Sequence, residues 1–274
     1  MRMTYMMNHV KKMALQLTLM GVVLLCIGVM GVTQAKAAIE PGHEIKYNIK
    51  SELFNEANIL STFSATKKDE VKIYYFDTPS KNFQTADYNN RLRVYKGSNK
   101  IDITYKKRFL NTPLEEALAI TESHGFTGSE SNYKFELDIK GGNRTFTISR
   151  KESLKATSKV SYDTVDTSAA KKLILDNVPK KILNWDSAAW YNDTLAQAVV
   201  YGPATATTYK GSYAGYEADI EVWNYQGEIM VELSTKESDA AQAASIEQQW
   251  QDHLQTAGYL SADQRGKTAF VMDK

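Results

Sequence analysis

Polar and apolar residues alternate along much of this chain. In Glu44-Ile45-Lys46-Tyr47-Asn48-Ile49-Lys50 the side chains of Ile45, Tyr47 and Ile49 share one face and the polar ones the other. The same period of two recurs at 71–76, 91–95, 101–107, 133–139, 145–149, 216–223 and 229–235. Runs of this kind, bounded by Gly, Asn, Asp and Ser, predict eight antiparallel strands with two unlike faces. Lys140-Gly141-Gly142-Asn143-Arg144 and Lys96-Gly97-Ser98-Asn99-Lys100 read as hairpin turns. Helical spacing is rarer. Thr112–Ala117 reads as a helix start with Pro113 at its first position. Residues 168–177 and 180–191 read as helical, and 240–257 as the best helix, with a stripe of Ala244, Trp250 and Leu254 and a stop at Gly258. Strands with helices around them give an α+β class.

The beginning of the chain has a different character. Arg2, His9, Lys11 and Lys12 precede an uncharged apolar run from Met13 to Val32, followed by Gln34-Ala35-Lys36-Ala37-Ala38. A basic segment, an apolar segment and small residues at a cleavage site, in that order, predict a secretory signal over residues 1–37 and a secreted or extracytoplasmic protein. The run also approaches the length of a membrane span, so an uncleaved signal would act as an anchor.

Cleavage changes the chemistry of what remains. Cys26 is the sole cysteine and leaves with the signal, so residues 38–274 form no disulfide and rely on their core. Arg2, Lys11, Lys12 and Lys36 leave too, so 33 basic residues fall to 29 against 32 acidic, a net charge near −3. Binding of a polyanion then needs a local basic patch, and no sequence-specific reading of nucleic acid is expected.

Charge is patterned on the strands. Arg91 and Arg93 share a face, and Lys106 lies with Thr104 and Asp102. Glu136 and Asp138 share another face, as do Glu217, Asp219 and Glu221. A solvated outer face is the simplest source of such patterns. Adjacent carboxylates repel, however, and call for a divalent cation or facing Lys and Arg. Were the sheet to close into a barrel with these faces inward, guanidinium and ammonium groups would grip phosphate oxygens, and the carboxylates would hold Mg²⁺ or Mn²⁺. No zinc-like histidine spacing, nucleophile elbow or Gly-rich phosphate loop is present among the motifs. The aromatic group Trp185, Trp190 and Tyr191 reads as packing, or as a surface for a sugar or a partner.

Three motifs occur in order. Tyr75-Phe76-Asp77-Thr78-Pro79, Arg91-Leu92-Arg93-Val94 and Ile103-Thr104-Tyr105-Lys106 resemble the Y-x-D-T, L-R-x-R and T-x-K run of the CYTH domain, in the triphosphate tunnel metalloenzyme superfamily. The resemblance implies an eight-stranded antiparallel barrel forming a tunnel, with peripheral helices. It also implies a phosphate-rich small molecule or polyanion as partner, processed with Mg²⁺ or Mn²⁺. Carried over by motif, Lys50, Arg91, Arg93, Lys106 and Lys210 would bind the anion, and Glu44, Glu136, Asp138, Asp219, Glu221 and Glu232 would bind metal.

The chain departs from that pattern at both ends. The E-x-E-x-K opening becomes Glu44-x-Lys46-x-Asn48, with Lys50 beyond, or, in the alternative register, Lys46-x-Asn48-x-Lys50, which keeps the lysine and loses both glutamates; the final E-x-E becomes Glu232-x-Ser234. Three readings are open: a metal-dependent triphosphatase or polyphosphatase, a non-catalytic anion-binding module on the same barrel, or an unrelated lipocalin-like barrel. The last would turn Arg91, Arg93 and Glu136 outward.

Overall fold

The alternating segments close into a barrel. In this computed structural model, which describes residues 37–274, the strands are β1 Gly42–Ile49, β2 Thr66–Asp77, β3 Tyr88–Tyr95, β4 Lys100–Phe109 and β5 Lys134–Lys140. They continue as β6 Asn143–Lys155, β7 Val199–Tyr213, β8 Tyr216–Tyr225 and β9 Glu228–Glu237. Around the barrel they run β1-β5-β6-β4-β3-β2-β7-β8-β9, and β9 pairs back onto β1. The signal read at residues 1–37, with Cys26, lies outside the described residues save Ala37. Ala38–Lys274 forms one compact unit.

The expected eight antiparallel strands are in fact nine, and one pair, β1 with β5, is parallel. The two corrections are one. Directions that alternate around a closed ring of odd number must meet in one like-directed pair. The added strand is β7, whose inward positions include Ala204, Ala206, Thr208 and Lys210, so no large apolar residue alternates with polar ones there. Gly202 and Pro203 in the same run read as breakers, yet the segment carries ladders to both β2 and β8.

The faces are reversed from those of a barrel with an oily interior. Ile45, Tyr47, Leu92, Val94, Ile101, Ile103, Ile148, Ile220 and Leu233 point outward and are buried in the main core beneath helices. The helices are α1 Glu56–Thr62, α2 Asn82–Thr85, α3 Leu114–Ser123, α4 Thr167–Asp176, α5 Lys180–Leu183, α6 Ala188–Ala196, α7 Ala240–Thr256 and α8 Lys267–Met272. The contacts tie helix to strand face: the Tyr105 hydroxyl donates to the carbonyl of Ile174 on α4 at 2.6 Å, and that of Tyr47 to Glu247 on α7 at 2.8 Å. Each such apolar side chain contributes about 1.5–3 kcal/mol on burial.

Local chemistry accounts for the helix ends. Asn55, Asp166, Ser187 and Asp239 each cap a helix by accepting a backbone N–H. Pro113 stands one residue before α3, at its N-cap, rather than at its first helical position. The helical run 180–191 divides into α5 and α6, parted at Asn184–Ser187. On α7 the buried stripe is Ala243, Ile246, Trp250 and Leu254; Ala244 is exposed, one position off the packed face. Gly258 comes just after with φ +69° and ends the helix. Trp185 and Tyr191 are buried in the core, which makes that aromatic group packing.

Candidate functional site

Strand parity puts the charged faces inside the barrel. Ladder neighbours share a face, and Tyr75↔Arg91, Arg91↔Thr104, Arg93↔Asp102, Thr104↔Lys151 and Lys106↔Ser149 trace one inward surface across β2, β3, β4 and β6. Asp138↔Glu44, Asn48↔Glu232 and Glu232↔Glu221 continue it across β5, β1, β9 and β8. Ion pairs reach between strands that are not neighbours, such as Arg93 on β3 with Glu221 on β8, which only an interior face permits. Arg91, Arg93 and Glu136 therefore point inward, against the lipocalin-like reading. Side chains of Glu44, Lys46, Arg93, Lys106, Glu136 and Asp138 retain between 13% and 21% exposure, so solvent reaches this interior. A closed barrel with a charged interior is what the CYTH resemblance implies.

One group of charges centres on β1 and β5. Oxygen atoms of Glu44, Glu136 and Asp138 lie within 4.8 Å of one another, a spacing that could hold a metal ion. Three ammonium groups already stand among them. Lys46 Nζ is 2.6 Å from Glu44 and 3.1 Å from Asp138, Lys106 Nζ is 3.1 Å from Asp138, and Lys236 pairs with Glu136. Burial alone would raise the Asp138 carboxyl, but Lys106 and Lys46 outweigh it and hold the group well below the usual range. Burial would lower the Lys46 ammonium, and Asp138 and Glu44 instead raise it. Three negative charges thus meet three positive ones. The carboxylates have the spacing for Mg²⁺ or Mn²⁺; with the lysines in place, a divalent ion would enter an already neutral cluster beside three cations, which weakens its hold.

A second group centres on β8 and β9. Glu221 and Glu232 lie directly opposite each other, and Lys267 of α8 bridges them at 2.8 and 2.6 Å. Lys140 reaches Glu232 at 2.5 Å and donates to Asn48 Oδ1 at 2.7 Å. Arg93 stands 3.5 Å from Glu221, and the indole N–H of Trp223 donates to the same carboxylate at 2.8 Å. Burial works to raise the Glu221 carboxyl, yet Lys267 and Arg93 bring it down to about 2. Glu232 is likewise held down by Lys140 and Lys267 against its burial.

Arg91 differs from all of these. Its Nη2 lies 3.4 Å from the Thr104 hydroxyl, its Nε has no partner, and no carboxylate pairs with it among the described residues. Burial lowers its proton affinity, and the neighbouring Arg93 lowers it further. It is a guanidinium in a solvent-reached interior with no carboxylate within ion-pair distance among the described residues, and a planar fork of this kind suits phosphate oxygens.

Two of the sequence-predicted anion-binding residues, and one acidic one, stand away from these groups. Lys50 lies just past β1, where its backbone N–H donates to Tyr259, and it enters no ion pair among the described residues. Lys210 and Asp219 pair with each other at 2.6 Å near one end, with Lys210 57% exposed. Arg91, Arg93, Lys106, Glu44, Glu136, Asp138, Glu221 and Glu232 share the central interior. Sequence reasoning missed Lys140, Lys236 and Lys267. Parity could have found the first two, since Lys140 shares a face with Glu136 and Asp138, and Lys236 with Glu232 and Ser234. Lys267 comes after an irregular segment and opens a short helix, so no strand period points to it.

No family model matches the chain, and no curated protein matches it. Among solved structures it is similar to HpAC1 from Hippeastrum, a protein described as having a dominant triphosphatase activity, with TM-score 0.49 and 14% identity over 83% of this chain and 93% of that one. It is similar also to a Bacillus halodurans protein described as an adenylate cyclase candidate, with TM-score 0.48 and 13% identity over 85% and 97% of the two chains. Protein PH1819 from Pyrococcus horikoshii gives TM-score 0.43 and 15% identity over 81% and 93%. These likenesses are distant, and a functional reading rests on the geometry of this chain's own residues.

Proposed function

We propose that the barrel interior binds a phosphate-rich anion, such as a tripolyphosphate, as a non-catalytic module. The observation that supports this most is Arg91: a partly buried guanidinium with no carboxylate partner, flanked on the inward face by Arg93 and within the same interior as Lys106. The interior carboxylates, by contrast, are paired with lysine or arginine, and so offer no open cation site for hydrolysis. An anion entering beside Arg91 gains a charge-assisted contact and displaces no salt bridge there. The export signal over residues 1–37 belongs to the same reading. Such a signal would place the module outside the cytoplasm, and nucleoside triphosphates are scarce there, which favours binding over their turnover.

The mutual spacing of Glu44, Glu136 and Asp138 favours a second reading, phosphate release assisted by Mg²⁺ or Mn²⁺. Calorimetry and a phosphate-release assay with tripolyphosphate separate the two. Binding without added metal and without turnover supports the module; turnover that requires metal supports the enzyme.

A further inference from the structure

Glu221 and Glu232 pose an electrostatic problem that the chain solves internally. They are direct cross-strand neighbours on β8 and β9, and like charges so placed repel. Glu232 is only 2% exposed, so water does little to screen them. We infer that Lys267 is a resident cation of the barrel, supplied by the chain in place of a divalent metal at Glu221 and Glu232.

The ammonium is within 2.8 Å of both carboxylates, and the segment that carries it is anchored on either side. Before it, the Asn48 amide donates to the carbonyls of Asp263 and Arg265 at 3.0 and 2.9 Å. Gln264 accepts the backbone N–H of Asn48 and donates to its carbonyl, both at 2.9 Å. After it, Phe270, Val271 and Met272 of α8 are buried against Val71, Ile73, Ala204, Ala206, Trp223 and Met230. By strand parity those six residues face into the barrel, so α8 fills part of the interior. Asn89 of β3 holds the same helix through Thr268 at 2.6 Å. Asn48 stands where the CYTH motif has lysine, and its amide is what fastens the segment bearing Lys267. Position 48 thus gives up a cation, and another enters the interior with α8.

This inference stands apart from the anion reading, because it concerns the carboxylate side and needs no phosphate. Its test is Mn²⁺ binding, monitored by electron paramagnetic resonance of the free ion, for wild type, Lys267→Met and the double variant Lys267→Met with Glu232→Gln. Wild type is expected to bind Mn²⁺ weakly, Lys267→Met at least about tenfold more tightly, and the double variant to lose that gain. Equal affinity of wild type and Lys267→Met would overturn the inference. So would a gain that survives Glu232→Gln. Should Lys267→Met not fold by itself, its circular dichroism and cooperative melting are expected to recover in millimolar Mn²⁺ but not in equal ionic strength of Na⁺. Failure of that rescue overturns the inference as well.

Discussion

Lys46 and Ser234 lie directly opposite each other on the β1–β9 ladder. They are the two positions at which the chain departs from the paired glutamates of the CYTH motifs, so both departures fall at one point of the barrel. Lys46 turns to Glu44 and Asp138, and the short Ser234 leaves it room beside the ladder. What reads along the sequence as two separate losses is one local exchange of carboxylates for an ammonium.

Reversing that exchange should be costly. Lys46→Glu would add a carboxylate beside Glu44 and Asp138 and remove the cation between them. Removing one partner from a buried ionic group costs about 3–5 kcal/mol. Urea denaturation should show a loss of about 3 kcal/mol, and Mn²⁺ or Mg²⁺ should restore part of it. A variant as stable as wild type would show that Lys46 does not neutralise this wall.

Arg91 and Arg93 should part company on mutation. Arg91 has no carboxylate partner, whereas Arg93 pairs with Glu221. Arg91→Ala is expected to weaken tripolyphosphate binding by about tenfold, the loss of a charge-assisted contact, while moving the melting temperature little. Arg93→Ala should reduce both binding and stability. Isothermal calorimetry and thermal denaturation of the two variants check this together.

Acid should loosen the β8–β9 side of the interior. The Glu221 carboxyl titrates near 2 in the folded barrel against an ordinary 4.5, so the unfolded chain binds its proton first as pH falls. The stabilisation it gives is complete above pH 4.5 and is lost as pH drops toward about 2. Glu232 and Asp138, also held down, act in the same direction. Stability measured by urea from about pH 7 to pH 2 should therefore be level at first and fall below about 4.5. Glu221→Gln should flatten the fall.

Two packing variants test the barrel itself. Trp223→Phe keeps a buried ring but removes the N–H that donates to Glu221, at an expected cost of about 1 kcal/mol plus the smaller ring's lost packing. Gly211→Ala should cost more. A Cβ there would lie 2.4 Å from the carbonyl oxygen of Phe63, which is backbone and has little freedom to move. Denaturation midpoints rank the two.

Much of this barrel was legible in the alternation of residues such as Ile45, Tyr47 and Ile49, because outward side chains of β1 sit under α7 and produce a strong period of two. β7 was not legible, since Ala204 and Ala206 face inward against Trp223 and bear no large side chain. The sharing of one interior by Arg91, Arg93, Lys106, Glu44, Glu136 and Asp138 is a consequence of parity once the ring closes. Lys267 could not be read in this way. Its place depends on contacts spanning more than two hundred residues, from Asn48 to Asp263 and Arg265, and no local pattern encodes them.

Calorimetric titration of the protein with tripolyphosphate, with and without a metal chelator, tests the central claim most directly. Binding that is unchanged by the chelator, weakened about tenfold in Arg91→Ala and unaccompanied by phosphate release is the predicted result. Binding only in the presence of Mg²⁺ or Mn²⁺, or none at all, would contradict a barrel that supplies its own cations.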